Sequence, residues 1–587
     1  MSLERETTPI DQIAEDWVDT LTELDPITGS YIGRESAHAR LNDFSPEGGE
    51  QVAQAMRATL AELRGATPVD EVDRVTQLDL AAELELSLAR HEAGEGLRDL
   101  NVIESPSQQV RDTFDMMPSE TEADWANIAA RMAAVPEAMR SYRASLDAGI
   151  RRGLVPSIRQ VREVAAQLRR TAGMSPLMRP RGGAGRTAGA AADVESPKGF
   201  FTELAARAVD TVPASLGSDL ANAAAEASEA YAGLANFLDT ALSAHAVEAD
   251  AFGRERYELA SEVFLGAKVD LDETYEWGIE ELARMVDEQE RIAGEILGEK
   301  PRKGIVADAI AKLEQDPARK LHGTDALQRW MQETSDRAVR ELGETQFDIP
   351  AEIRTLECMI APTQEGGIYY TGPSSDFSRP GRMWWSVPEG VTEFDTWREL
   401  TTVYHEGVPG HHLQIGQAVV NSGTLNEWRR QLAGSSGNAE GWALYAERLM
   451  EQLGYLDDPA DRLGMLDGQR MRAARVVLDI GVHLGKQRPD GGGVWDGEYA
   501  FEFMRDNVNM NDSFVRFEVL RYLGWAGQAP SYKIGQRIWE DLRDEAKGRA
   551  EAGGGTFDIR DFHRDALKLG VTRLDTLQAV MRGELSD

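Results

Sequence analysis

Cysteine is almost missing from this 587-residue chain. Cys358 stands alone, so neither an internal disulfide nor a cysteine-based zinc site can form. Its expected place is in a core, as a small apolar residue. Basic residues are scarce beside acidic ones, 63 Lys+Arg against 100 Asp+Glu, a net charge of −37. An acidic surface of that size repels phosphate backbones and anionic headgroups, which excludes general binding to nucleic acid or a membrane surface. No charge-free apolar window reaches the roughly 18 residues of a membrane span. The start, MSLERETTPIDQ, carries Glu4 and Glu6 where a secretion leader has a basic end and an apolar run. These absences predict a cytoplasmic protein. No repeat of fixed period occurs, which argues against a solenoid. Residues 169–186 hold five arginines with no aromatic residue to stack on bases, so 173–196 reads as a mobile loop rather than an RNA-binding tail.

What is present is mostly helix. Hydrophobic residues make up 42% of the chain, enough to bury a core. Ala, Leu, Glu and Arg dominate the first 345 residues, and apolar residues recur at three- and four-residue steps, as in Ile13, Trp17, Leu21 and Leu24. The texture changes near residue 350. Ile353–Ile360, Gly367–Tyr370 and Arg382–Val387 read as short strands, and helical patterns resume from 392 to 582. The expectation is a mainly α protein, an N-terminal helical region (1–345) and a region with short strands and helices (346–587) in one continuous fold. The small sheet is expected beside whatever site exists.

Of nine histidines, three lie within eight residues, in VYHEGVPGHHLQ from Val403 to Gln414. A helix bearing His-Glu and a second His four residues after the first can hold zinc through two imidazoles, with the Glu activating a metal-bound water. Here the fourth position is Pro409, which cannot bind metal. Looping out Gly407 and Val408 restores the register and leaves His-Glu-Pro-Gly-His-His-Leu-Gln. Pro409 and the flanking Gly407 and Gly410 favour such a break, and His411 then joins His405 as a ligand. An unbroken helix would instead bring round His412, seven residues on. Glu440, 35 residues after His405 and early in a second amphipathic helix, suits a third ligand. Glu447, two turns later on the same face, is the alternative.

The restored string resembles the His-Glu-x-Gly-His core of the thimet-oligopeptidase and Taq-type carboxypeptidase families. With NAEGWALYAERL (Asn438–Leu449), RVVLDIGVH (Arg475–His483), GQAPSYKIG (Gly527–Gly535) and FHRDALKLG (Phe562–Gly570), the chain is similar to the bacterial family known as domain of unknown function 885. The resemblance is strongest over 350–587 and implies a fold like that of the Taq-type carboxypeptidases, with Zn2+ held by two histidines and a downstream glutamate. Glu406 is then the general base. His483 and Tyr532 are the expected further catalytic groups, and Tyr369, Tyr370, Arg521 and Lys533 the expected substrate contacts. Three functions follow. One is a zinc metallopeptidase acting on short peptides, with carboxypeptidase action included. The second is a metal-dependent amide or ester hydrolase of a small metabolite. The third is a non-catalytic helical scaffold with a degenerate site.

Overall fold

The computed structural model describes residues 5–174, 198–208, 211–362, 367–374 and 376–585. Apart from Gly173 and Met174, the loop expected at 173–196 lies outside them. The protein is mainly α, with two small sheets. No helix among the described residues is long and apolar enough to cross a membrane.

The chain divides into two units. One comprises Asp16–Glu62 and Leu84–Asp250 and is all helical. Its long helix Glu122–Arg152 starts on a reciprocal cap between Thr121 and Asp124 and buries Trp125, Met132, Val135, Tyr142 and Leu146, one face at helical spacing. The other unit gathers three separate stretches, Met1–Glu15, Leu63–Glu83 and Ala251–Asp587. Buried polar contacts tie its early pieces to its late ones. Asn426 donates to Asp11 (3.0 Å), and the Arg573 backbone N–H donates to Asp79 (3.0 Å). Residues 251–345 therefore group with the metal region rather than with the N-terminal helices, unlike the division at 345/346 expected from sequence.

Five strands belong to this second unit: β1 (Lys320–His322), β2 (Leu356–Ile360), β3 (Ile368–Thr371), β4 (Gly381–Trp385) and β5 (Glu393–Asp395). β1 pairs antiparallel with β5, a pairing of three residues each that the sequence patterns did not reveal. The larger sheet has the order β2-β4-β3, with β4 parallel to β2 and antiparallel to β3. Alternation sends Leu356, Cys358, Met383 and Trp385 into a core with Leu327, Met331 and Val403. Gln328 and Gln332 from the helix Thr324–Thr345 hydrogen-bond the Leu356 and Cys358 backbone of β2 at 2.8–3.0 Å, which covers that edge. β4 is central and has no free edge. β3, at the other side of the three-stranded sheet, keeps an outer edge without a strand partner among the described residues.

Elsewhere the expected helices break where breakers stand. The last stretch of the helical pattern that runs to 582 becomes Ile559–Leu567 and Leu574–Arg582, split by Gly570 with φ +71°. In the helix Ile158–Thr171 the buried Val161, Val164, Ala165 and Leu168 keep helical spacing among arginines that mask the stripe. Around the histidines, two helices meet backbone to backbone: a Cβ on Gly441 of Ser436–Gln452 would lie 2.4 Å from the Gly535 carbonyl carbon of Gln528–Ala552. Glycine at both positions lets the helix bearing Glu440 approach the helix bearing Tyr532.

Candidate metal centre

The centre forms where two helices follow one another. The first, Thr396–Glu406, buries Trp397, Leu400, Val403 and Tyr404 and ends at Glu406, because Pro409 cannot continue it. The second begins at His411 and runs to Val420. The break is thus a full stop of four residues, Gly407–Gly410, rather than a bulge inside one helix. Gly410 is required there by close approach, since a Cβ would sit 1.8 Å from the His405 carbonyl oxygen. The spacer is held from the side by Trp442, whose indole N–H donates to the carbonyls of Pro409 (2.9 Å) and Gly410 (3.2 Å).

This turn brings His411 next to His405, their rings edge to face with centroids 4.9 Å apart. Glu440, from the first turn and a half of Ser436–Gln452, reaches both: its Oε2 lies 3.3 Å from His405 Nε2 and 3.6 Å from His411 Nε2. All three ligand atoms fall within 4.8 Å of one another. A tetrahedral ion with bonds of 2.0–2.1 Å holds its ligand atoms about 3.3 Å apart. The buried Glu440 Oε2 has no hydrogen-bond partner, a costly state for a carboxylate unless a cation completes it. The residues therefore fit a divalent metal.

The electrostatics agree. Burial works to lower the His405 pKa, but Glu440 and Glu447 outweigh it and raise it to about 10. Burial works to raise Glu440, and the facing imidazoles of His405 and His411 hold it well below the usual carboxylate range instead. Glu447 is not in the ligand cluster. Its Oε1 lies 2.8 Å from His405 Nδ1 on the far side of the ring, where a carboxylate orients a ligating imidazole. His412 is turned away: Nε2 is 2.8 Å from the Ile353 carbonyl oxygen and Nδ1 is 2.9 Å from the Tyr370 hydroxyl. Both its ring nitrogens are used. Glu406 is 7% exposed, and burial raises its pKa against the opposing pull of His411 and His405.

The remaining expected residues divide. Tyr532 is near the centre; burial first and then the charge of Glu440 raise its hydroxyl pKa, and the Arg475 guanidinium lies 5.2 Å from its ring centroid. Arg521 reaches Gln528 and Glu518 beside the Arg475–Tyr522–Glu518 cluster. Tyr370 serves His412, while Tyr369 is 42% exposed and stacks on Trp384. His483 does not join the centre. On the helix Pro459–Leu484 it lies fourteen residues beyond Gln469, whose side chain reaches Glu447, which is about 21 Å along the axis. Its Nε2 meets the Tyr522 carbonyl oxygen at 3.0 Å, between Phe252 and Tyr257. Lys533 also departs from expectation: its ammonium contacts Gln469, Gln536 and Glu281 at 2.7–3.0 Å, so no N–H remains for a substrate. Three contributors escaped the sequence reading. Trp442 read as core, Gln469 carried no signal, and Glu518 was signalled only by its helical spacing to Arg521 and Tyr522.

The family model described as bacterial protein of unknown function (DUF885) matches residues 26–581. The chain belongs to that family. Two solved structures share the fold of this DUF885 chain. "The putative lipoprotein from Colwellia psychrerythraea" is 20% identical with a TM-score of 0.79, covering 98% of each chain. "A putative lipoprotein of unknown function from Shewanella oneidensis" is 16% identical with a TM-score of 0.73, covering 98% of this chain and 99% of its own. A carboxypeptidase of Pyrococcus furiosus aligns over 100% of both chains at 12% identity, but its TM-score of 0.35 carries no argument. No curated protein matches this DUF885 chain.

Proposed function

We propose that the protein is a zinc-dependent hydrolase of peptide bonds in short peptides. The observation that carries this reading is the meeting of His405, His411 and Glu440, whose ligand atoms lie within 4.8 Å of one another, with a buried carboxylate of raised pKa, Glu406, one residue from the first ligand. Zinc bound there supplies a Lewis acid that polarises a carbonyl and lowers the pKa of a coordinated water towards about 7. Glu406 takes one proton from the attacking water and returns it to the departing amine nitrogen, so that the C–O bond forms as the C–N bond breaks. A carboxyl group with raised pKa suits that double role at neutral pH. Tyr532, whose hydroxyl pKa is raised by burial and the charge of Glu440, is the O–H donor to the carbonyl oxygen as charge develops. The outer edge of β3 offers backbone groups to an extended peptide, and Arg521 offers a guanidinium to a carboxylate.

The same chemistry would open an amide or ester of a small metabolite, and the free edge of β3 favours a peptide. The test has two parts. Purified protein should carry close to one zinc per chain, and a synthetic peptide library read by mass spectrometry should show metal-dependent cleavage. Removal of the metal by a chelator should abolish cleavage and leave the helical circular dichroism almost unchanged, because a core of this size does not depend on one ion. Full activity in metal-free protein would defeat the proposal.

A further inference from the structure

Behind His405 the hydrogen bonds continue inward rather than stopping at Glu447. Gln469 Nε2 donates to Glu447 Oε2 (3.4 Å), and Gln469 Oε1 accepts from Lys533 Nζ (2.7 Å). Lys533 is paired with Glu281 (2.9 Å), which is held in turn by Arg284 (2.7 Å). Glu447, Gln469 and Lys533 are each no more than 2% exposed. They come from three helices, Ser436–Gln452, Pro459–Leu484 and Gln528–Ala552, and Glu281 from a fourth, Leu271–Leu297.

The direction of this chain is dictated by its ends. An ammonium can only donate and a carboxylate can only accept. Gln469, which does one of each, must therefore point its carbonyl at Lys533 and its amide at Glu447. Glu447 is then kept as an acceptor facing His405 Nδ1, so an N–H sits on Nδ1 and Nε2, on the side of Glu440 and His411, is the nitrogen left for a metal. An amide that flipped, or a Glu447 that turned away, would let the ring rotate.

We propose that Lys533 is a positioning residue for the metal centre, acting through Gln469 and Glu447 to fix the ring and tautomer of His405. It touches neither metal nor substrate. The inference rests on the metal-site reading above and adds to it a residue expected from sequence to hold substrate.

The test reads metal binding, not turnover, by chelator competition with Co2+ and the visible absorption of the cobalt protein. Lys533→Met and Gln469→Leu should each raise the cobalt dissociation constant about 10–100-fold and alter the visible bands. The double variant should be no weaker than Gln469→Leu alone, since both cut one chain. Lys533→Gln, which keeps a donor towards Gln469, should recover part of the affinity. If Lys533→Met does not fold, Gln469→Leu still reports, because it leaves the Lys533–Glu281 pair in place. Variants that fold and bind cobalt as tightly as the native chain, with the same spectrum, would overturn the proposal while the metal-site reading stands. A native chain that takes up no cobalt would overturn both. Additive losses in the double variant would mean that the two residues act only as separate packing elements.

Discussion

Two adjacent histidines, chemically alike, do different work here because their nitrogens meet different neighbours. His411 presents Nε2 to Glu440, whereas His412 has both nitrogens engaged by Ile353 and Tyr370. His411→Ala should therefore lose bound zinc, and His412→Ala should keep it; metal content of the two purified variants, by atomic emission, decides between them. Glu406→Gln should retain the metal yet lose at least about a hundredfold in kcat, the usual contribution of a general base, because the amide keeps the shape but cannot accept a proton. Sequence was enough to single out His405, His411 and Glu440, which the structure brings together, since each is a chemically distinctive residue in a short pattern. It failed for Lys533 and His483, whose character depends on what surrounds them: three acceptors claim the lysine, and two aromatic rings with a carbonyl enclose the histidine.

At the scale of elements, the feature that matters most is the stop between two helices at Gly407–Gly410. Helical periodicity places residues on a face only while the helix lasts, so counting turns from His405 cannot locate the second ligand. Pro409 showed that a break must come, but its form is set by partners remote in sequence, above all the Trp442 indole. The short strands β1 and β5 were illegible for a related reason: three residues carry no period, and each exists through the other. Gly410→Ala should disturb the turn, because its methyl carbon would need the space of the His405 carbonyl. The expected result is a chain with helical circular dichroism like that of the native protein but with less than half of its zinc after dialysis. Unchanged metal content would show that the turn has room to adjust.

Over the whole molecule, stability should carry the mark of a buried acid. Asp479 accepts from the Tyr257 hydroxyl (2.7 Å) and the Gly527 N–H (2.8 Å), while its Oδ1 has no partner. Burial pushes its pKa up to about 7, against the pull of Tyr257, Gly527 and Arg521. With the folded pKa above the unfolded one, this group favours the fold fully below about pH 4, and the contribution is lost as pH rises towards 7. Asp479→Asn should remove that slope, so its melting temperature should gain on the native protein from pH 5 to pH 8; parallel curves would refute the assignment. The arrangement of the unit that contains His405, His411 and Glu440 also has a consequence for synthesis on the ribosome. Its pieces are Met1–Glu15, Leu63–Glu83 and everything from Ala251 onward, whereas the other unit is complete once Asp250 has emerged. The helical unit can thus fold while translation continues, but the two early pieces, which pair with each other through Arg5 with Asp70 and Asp73, must wait for partners such as Asn426 and Arg573 that are made hundreds of residues later. Nascent chains stalled once Asp250 has cleared the exit tunnel should resist protease across 84–174 and be cut within 63–83, so the candidate metal centre is among the last parts of the molecule to come into being.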